Sequence, residues 1–155
     1  MSRTYGLRTA RDLLAKLERD AELLRQEVSS DRFFNFVVTA YSLVYWIQND
    51  PSVNSGAKSD LQRFRSTQSI QICRDLANLS KHFSLDPRRN PNPKVQSAAS
   101  DQGFGVGRFG VGGYGVGEEE ISVVLDNGAT QDSLALIEDA LRDWKTFFVQ
   151  HALTA

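Results

Sequence analysis

The sequence predicts a mainly α fold: a four-helix bundle with a small glycine-rich β-hairpin or meander inserted before the last helix. Three observations predict it. Apolar residues recur at alternating three and four spacing over Ala10, Leu14, Leu17, Ala21, Leu24 and Val28. Such a stripe places one face of a helix toward a neighbour. The stretch Phe33 to Ile47 is apolar nearly all round, as a central helix with several neighbours must be. Near the other end, Leu134, Ile137, Leu141, Trp144, Phe147 and Phe148 again line one helical face.

The first helix covers about residues 9–29. Thr9 followed by Asp12 makes an approximate capping box. Ser29-Ser30-Asp31 interrupts it and caps a second helix, about 31–49, which Asn49-Asp50-Pro51 stops. Residues 51–58 read as a polar loop with Gly56. Ser59 or Asp60 can cap a third helical region: a short helix, a polar bend at 65–69, then a long helix to Phe83. Helix connections of a few residues favour antiparallel neighbours.

Pro87, Pro91 and Pro93 mark residues 86–102 as a linker within a single 1–155 domain. A glycine-rich β insertion follows, 103–126. Phe104-Gly105-Val106-Gly107, Phe109-Gly110-Val111-Gly112 and Tyr114-Gly115-Val116-Gly117 form a five-residue repeat. Bulky residues alternate with glycine as on a one-faced strand, and the odd period flips the face between units. Ile121 to Leu125 reads as a strand, Asp126-Asn127-Gly128 as a turn, and Thr130 or Asp132 as the cap of the last helix. Phe104, Phe109 and Tyr114 suit a contact surface.

Composition narrows the function classes. A chain of 155 residues with 41% hydrophobic and 24% charged residues is ordinary for one globular domain. The single cysteine, Cys73, excludes an internal disulfide. Met1-Ser2-Arg3-Thr4-Tyr5-Gly6 lacks the apolar run of a signal peptide. Both point to a cytoplasmic protein. The apolar stretch Phe33 to Ile47 is short of the roughly 20 residues a membrane span needs. The net charge of −1 conceals a basic middle: residues 58–94 carry eight basic groups against three acidic ones. An anionic partner follows from that balance, RNA among the options, and a protein partner remains open.

Motifs for catalysis are sparse. Gly105-Val106-Gly107-Arg108-Phe109-Gly110 fits a dinucleotide fingerprint in letters alone, because no helix opens after it to meet a pyrophosphate. No phosphate-binding Gly-Lys-Ser/Thr occurs. His82 and His151 lie on different helices, so no zinc spacing exists, and neither metal nor cofactor is expected. A serine hydrolase elbow is also missing.

One peptide remains, Ile72 to Phe83. At about 100° per residue, Ile70, Ile72, Cys73, Leu76, Ala77, Leu79, Ser80 and Phe83 fall on one side. Gln71, Arg74, Asp75, Asn78, Lys81 and His82 fall on the other, with Arg74, Asn78 and His82 one above another. An arginine can hold a phosphate bidentately, an imidazole exchanges protons near neutral pH, and an amide can orient either group. The same row also fits a solvated face, with His82 paired to Asp86 at the helix end. Arg74, Asn78 and His82 are the catalytic candidates. Lys81, Arg88, Arg89, Phe104, Phe109 and Tyr114 are the binding candidates.

Arg74 to His82 on a late helix of a small bundle resembles the HEPN superfamily. Phe33 to Tyr41, Cys73 to Asn78 and Lys81-His82-Phe83 also resemble small bacterial proteins of unassigned activity. The HEPN resemblance implies a four- or five-helix bundle, commonly dimeric. It implies either a non-catalytic module or a metal-independent ribonuclease of toxin–antitoxin or antiphage systems, with Arg74 and His82 as its site. Seven residues separate the two here, a wider spacing than active members show. One helix supplies one histidine, so acid and base together require two copies across a dimer axis. The expectation is therefore a homodimeric interaction module that binds RNA or protein through the polar face of this helix. The ribonuclease is the alternative.

Overall fold

The computed structural model describes residues 5–88, 90–101 and 119–153. It is mainly helical, with a small antiparallel sheet. Among the described residues there are five helices: α1 Ala10–Gln26, α2 Ser30–Asn49, α3 Ser55–Phe64, α4 Gln68–His82 and α5 Ser133–Gln150. Three strands, β1 Val95–Asp101, β2 Glu120–Leu125 and β3 Thr130–Asp132, lie between α4 and α5.

Local chemistry sets the helix starts. Thr9 and Asp12 form a reciprocal capping box on α1, with Asp12 N–H donating to Thr9 Oγ1 at 3.1 Å. The Ser29 hydroxyl accepts from Arg32 N–H at α2. The third helix departs from the sequence expectation. Asn54, not Ser59 or Asp60, caps α3: its side-chain oxygen accepts from Ala57 N–H at 2.8 Å, so Gly56 lies inside the helix rather than in a loop. The polar bend shrinks to Arg65–Thr67, and α3 and α4 are separate helices.

The core forms where α1 meets α2, α2 meets α4, and α5 closes against α1 and α4. Phe36, Leu43, Ile47, Ile70, Ile72, Leu136, Trp144, Phe147 and Phe148 are fully buried there. Truncating any one of these aromatics to alanine costs about 3–5 kcal/mol. Trp144 also ties α5 to α2, its indole N–H donating to the Ala40 carbonyl at 2.9 Å. Phe64 at the end of α3 rests on Trp144 and Phe147, with ring centroids 4.6 and 4.7 Å away. Arg25 on α1 grips Glu138 on α5 through two nitrogens, at 2.6 and 3.0 Å. α2 is less enclosed than its composition suggests: Phe34 and Tyr45 stand half-exposed on it.

The second correction concerns the proline-rich segment. Its final part is a strand rather than linker, because β1 pairs antiparallel with β2 from Val95↔Leu125 to Asp101↔Glu120. β2 pairs in turn with β3, and Gly128, at φ 84°, makes the turn between them. Asp132 ends β3 and caps α5, accepting from Leu134 N–H at 3.0 Å. The glycine repeat lies outside the described residues.

Candidate functional site

α4 carries the row that the sequence singles out. Its buried side, Ile70, Ile72, Cys73, Leu76 and Ala77, faces the core. Burial, and then the nearby Asp143 carboxylate, pushes the Cys73 thiol up to about 12, so it is an inert core residue. On the opposite side Arg74, Asn78, Lys81 and His82 line one cavity of about 540 Å³. Tyr41 and Tyr45 of α2, Arg65 at the end of α3, and Pro91 complete its wall. The helix brings the predicted catalytic row and Lys81 together at a single place.

Arg65, Tyr41 and Tyr45 are the site residues that sequence reasoning missed. The tyrosines read as core positions of an apolar helix, and Arg65 as part of a bend. Arg65 Nη2 donates to the Tyr41 hydroxyl at 3.1 Å. The Tyr45 ring meets Tyr41 edge-on, with centroids 5.6 Å apart. Burial first, and then a hydrogen bond with Tyr41, holds the Tyr45 phenol above its ordinary value of 10.0. It is therefore neutral near physiological pH and able to donate a hydrogen bond. The i, i+4 spacing of the two tyrosines was the available signal.

Asp75 overturns one sequence expectation. Placed by the helical wheel on the solvent side, it is fully buried. Its Oδ1 accepts from Arg74 Nε at 2.9 Å and from the Asn90 side-chain amide. Its Oδ2 accepts the backbone N–H groups of Lys94, at 2.5 Å, and Val95, at 3.0 Å. Asn90, also buried, accepts from Asn78 Nδ2 at 2.5 Å. The segment from Asn90 to Val95 thus folds down over the helix and covers Asp75, and it carries Pro91 to the cavity wall. Physically, the wheel sees α4 alone, and this lid of chain arrives from fifteen residues further on.

The same network limits Arg74. Its Nε donates to Asp75 Oδ1 at 2.9 Å, and Nη2, 2.9 Å from the same oxygen, is buried without a hydrogen bond of its own, so that edge of the guanidinium faces inward. A bidentate grip on a phosphate through that edge is closed; Nη1 lies outside the pair. Asn78 likewise spends its amide on Asn90 rather than on orienting His82. His82 stands exposed at the cavity, and Asp86 accepts from Arg88 N–H at 2.9 Å. Arg88 is exposed and not part of the cavity wall. Arg89, Phe104, Phe109 and Tyr114 lie outside the described residues.

Phe83 is the second reversal. The wheel put it with the core, yet it is 97% exposed. It caps α4 in the left-handed region, φ 66°, which swings its side chain out of the helical register.

Electrostatically the cavity is one-sided. Arg65, Arg74, Lys81 and His82 line it, and among the described residues no carboxylate does. Asp75, paired with Arg74, is buried and its oxygens are occupied by its own partners. A second cavity of about 530 Å³ lies on the far side of α4 against β1, lined mainly by Phe33, Phe34, Val37, Leu76 and Leu79 with serines and alanines of the strand. Among the described residues no cluster of His, Cys, Asp and Glu is arranged to hold a metal, and no helix is long and apolar enough to cross a membrane.

Comparison with family models, with curated proteins and with solved structures finds no match to this chain.

Proposed function

We propose that this protein is a non-catalytic helical binding module that takes phosphate groups of an RNA partner into the cavity beside α4. One observation carries the reading: Arg65, Arg74, Lys81 and His82 converge on a nucleotide-sized cavity that has no lining carboxylate among the described residues. Cations gathered in a concave, partly desolvated place favour a multiply charged anion over scattered surface charge. Lys81 supplies an exposed, adaptable charge, and His82 an exposed imidazole that can hydrogen-bond a phosphate oxygen. Arg65 and Arg74 are held by Tyr41 and Asp75, so they lose little freedom on binding.

The test uses residues that carry no fold. Fluorescence anisotropy with a labelled RNA is measured for the wild type and Lys81→Glu across a salt series. The charge reversal weakens binding roughly uniformly over sequence and flattens the slope of log affinity against log salt by on the order of one to two. An unchanged slope and affinity sink the reading.

A second reading is a metal-independent ribonuclease of the HEPN type, favoured by the presence of Arg74 and His82 in the same cavity. Each chain contributes one histidine there, so this reading needs a dimer. RNA incubated in EDTA with the wild type and with His82→Ala decides it: cleavage lost in the variant supports catalysis, and equal behaviour of the two removes it.

A further inference from the structure

We propose that Tyr45 and Phe83 are stacking platforms that make the site selective for single-stranded nucleic acid. The proposal rests on the phosphate-binding reading above and names the form of ligand.

Phe83 is the first argument. A side chain other than glycine or asparagine in the left-handed region works against the fold, and the position just past a helix is one that glycine fills without strain. Here the chain places a phenylalanine at φ 66° and leaves it 97% exposed. The ring contributes nothing to the core and carries a backbone cost. An outlier of this kind points to a contact made with something else. Its place is informative: Phe83 is not itself a wall residue of the cavity, but it directly follows Lys81 and His82, which are.

Tyr45 is the second argument, and it is independent. It is 47% exposed although it lies on the most apolar helix, and its ring forms part of the cavity wall among the cations. Tyr41, edge-on at 5.6 Å, supports it.

Cations that hold backbone phosphates, beside aromatic faces that hold bases, are the two components of single-strand recognition. A duplex keeps its bases stacked on one another and offers the rings no partner. A bare polyanion satisfies the cations alone. Base stacking is sequence-tolerant, so the expected ligand is a single strand of loose sequence preference.

The experiment uses the full chain and fluorescence anisotropy. The probes are a short labelled RNA single strand, the same strand annealed to its complement, a DNA single strand of equal length, and inorganic polyphosphate as competitor. The variants are Phe83→Gly, Phe83→Trp, Tyr45→Ala and Lys81→Glu. Phe83→Gly raises the melting temperature, because it relieves the backbone, and weakens single-strand binding by on the order of tenfold. It leaves competition by polyphosphate unchanged. Phe83→Trp keeps wild-type affinity, and Tyr45→Ala loses affinity for either single strand. A duplex bound as tightly as the single strand overturns the proposal, as does wild-type single-strand affinity in both Phe83→Gly and Tyr45→Ala. The two readings fail separately. If Lys81→Glu weakens RNA and polyphosphate while the aromatic variants weaken neither, stacking falls and the phosphate cavity stands. If Lys81→Glu changes nothing, the phosphate cavity itself falls.

Discussion

Asp20 and Asp75 are both buried aspartates on helices, and the fold employs them differently. Asp20 on α1 pairs with Lys16 one turn away at 2.6 Å and accepts from the Thr39 hydroxyl of α2 at 2.9 Å. Its side chain keeps 10% of its surface, and Lys16 keeps 33%. Asp75 keeps none and is surrounded by a guanidinium, a buried amide and two backbone N–H groups. The first aspartate joins two helices that already pack on apolar faces. The second holds a proline-rich segment with little apolar surface of its own, and that segment walls the cationic cavity. A buried carboxylate is thus a convenience in one place and the fastening of the site in the other.

Removing the fastening is the most disruptive test of that contrast. Asp75→Ala strands Arg74, Asn90 and two amides in the interior, at a cost of about 3–5 kcal/mol. Chemical denaturation measures the loss. The variant also loses RNA affinity, because the 90–95 segment and Arg74 are no longer placed. A smaller effect follows at the other aspartate. Asp20→Ala costs about 1–3 kcal/mol, since Lys16 can turn to water and the Thr39 hydroxyl keeps the Asn35 carbonyl as an acceptor at 2.7 Å. RNA affinity stays at the wild-type level. Equal losses of stability at the two positions break the comparison.

The smallest effect belongs to a carboxylate at the surface. A hydrogen bond from His151, opposed in part by burial and aided by Arg63, holds Asp60 below its ordinary value of 3.8. A carboxylate depressed in the folded state adds stability that is full above its ordinary value and is lost as pH falls from there through the lower folded-state value. The melting temperature of the wild type therefore declines on the acid side more steeply than that of Asp60→Asn. Parallel acid limbs for the two proteins contradict this assignment of the His151 contact, which is 2.9 Å in length.

Particular residues show how far the sequence reached. The helices at 10–26, 30–49 and 133–150 were readable because their apolar spacing and caps are local properties. The row of Arg74, Asn78 and His82 was readable for the same reason, and those side chains do line one cavity. The start of α3 was misread, because Asn54 outcompeted two equally plausible caps. β1 was misread as linker: Gln96, Ser97, Ala98, Ala99 and Ser100 carry no strand pattern, and pairing with β2 makes the strand.

Local sequence was enough for the helical character, the caps of α1 and α2, the placing of Cys73 on the apolar side of its helix and the polar stripe along α4. Each depends on neighbours within a few residues, and the period of a helix converts that spacing into a face. Only the tertiary structure decided that Asp75 is interior, that Phe83 stands in solvent, and that Arg65, Tyr41 and Tyr45 belong with the stripe. Those outcomes depend on which distant segment lands on which face. A helical wheel assigns sides to one helix and carries no information about the chain that later covers them.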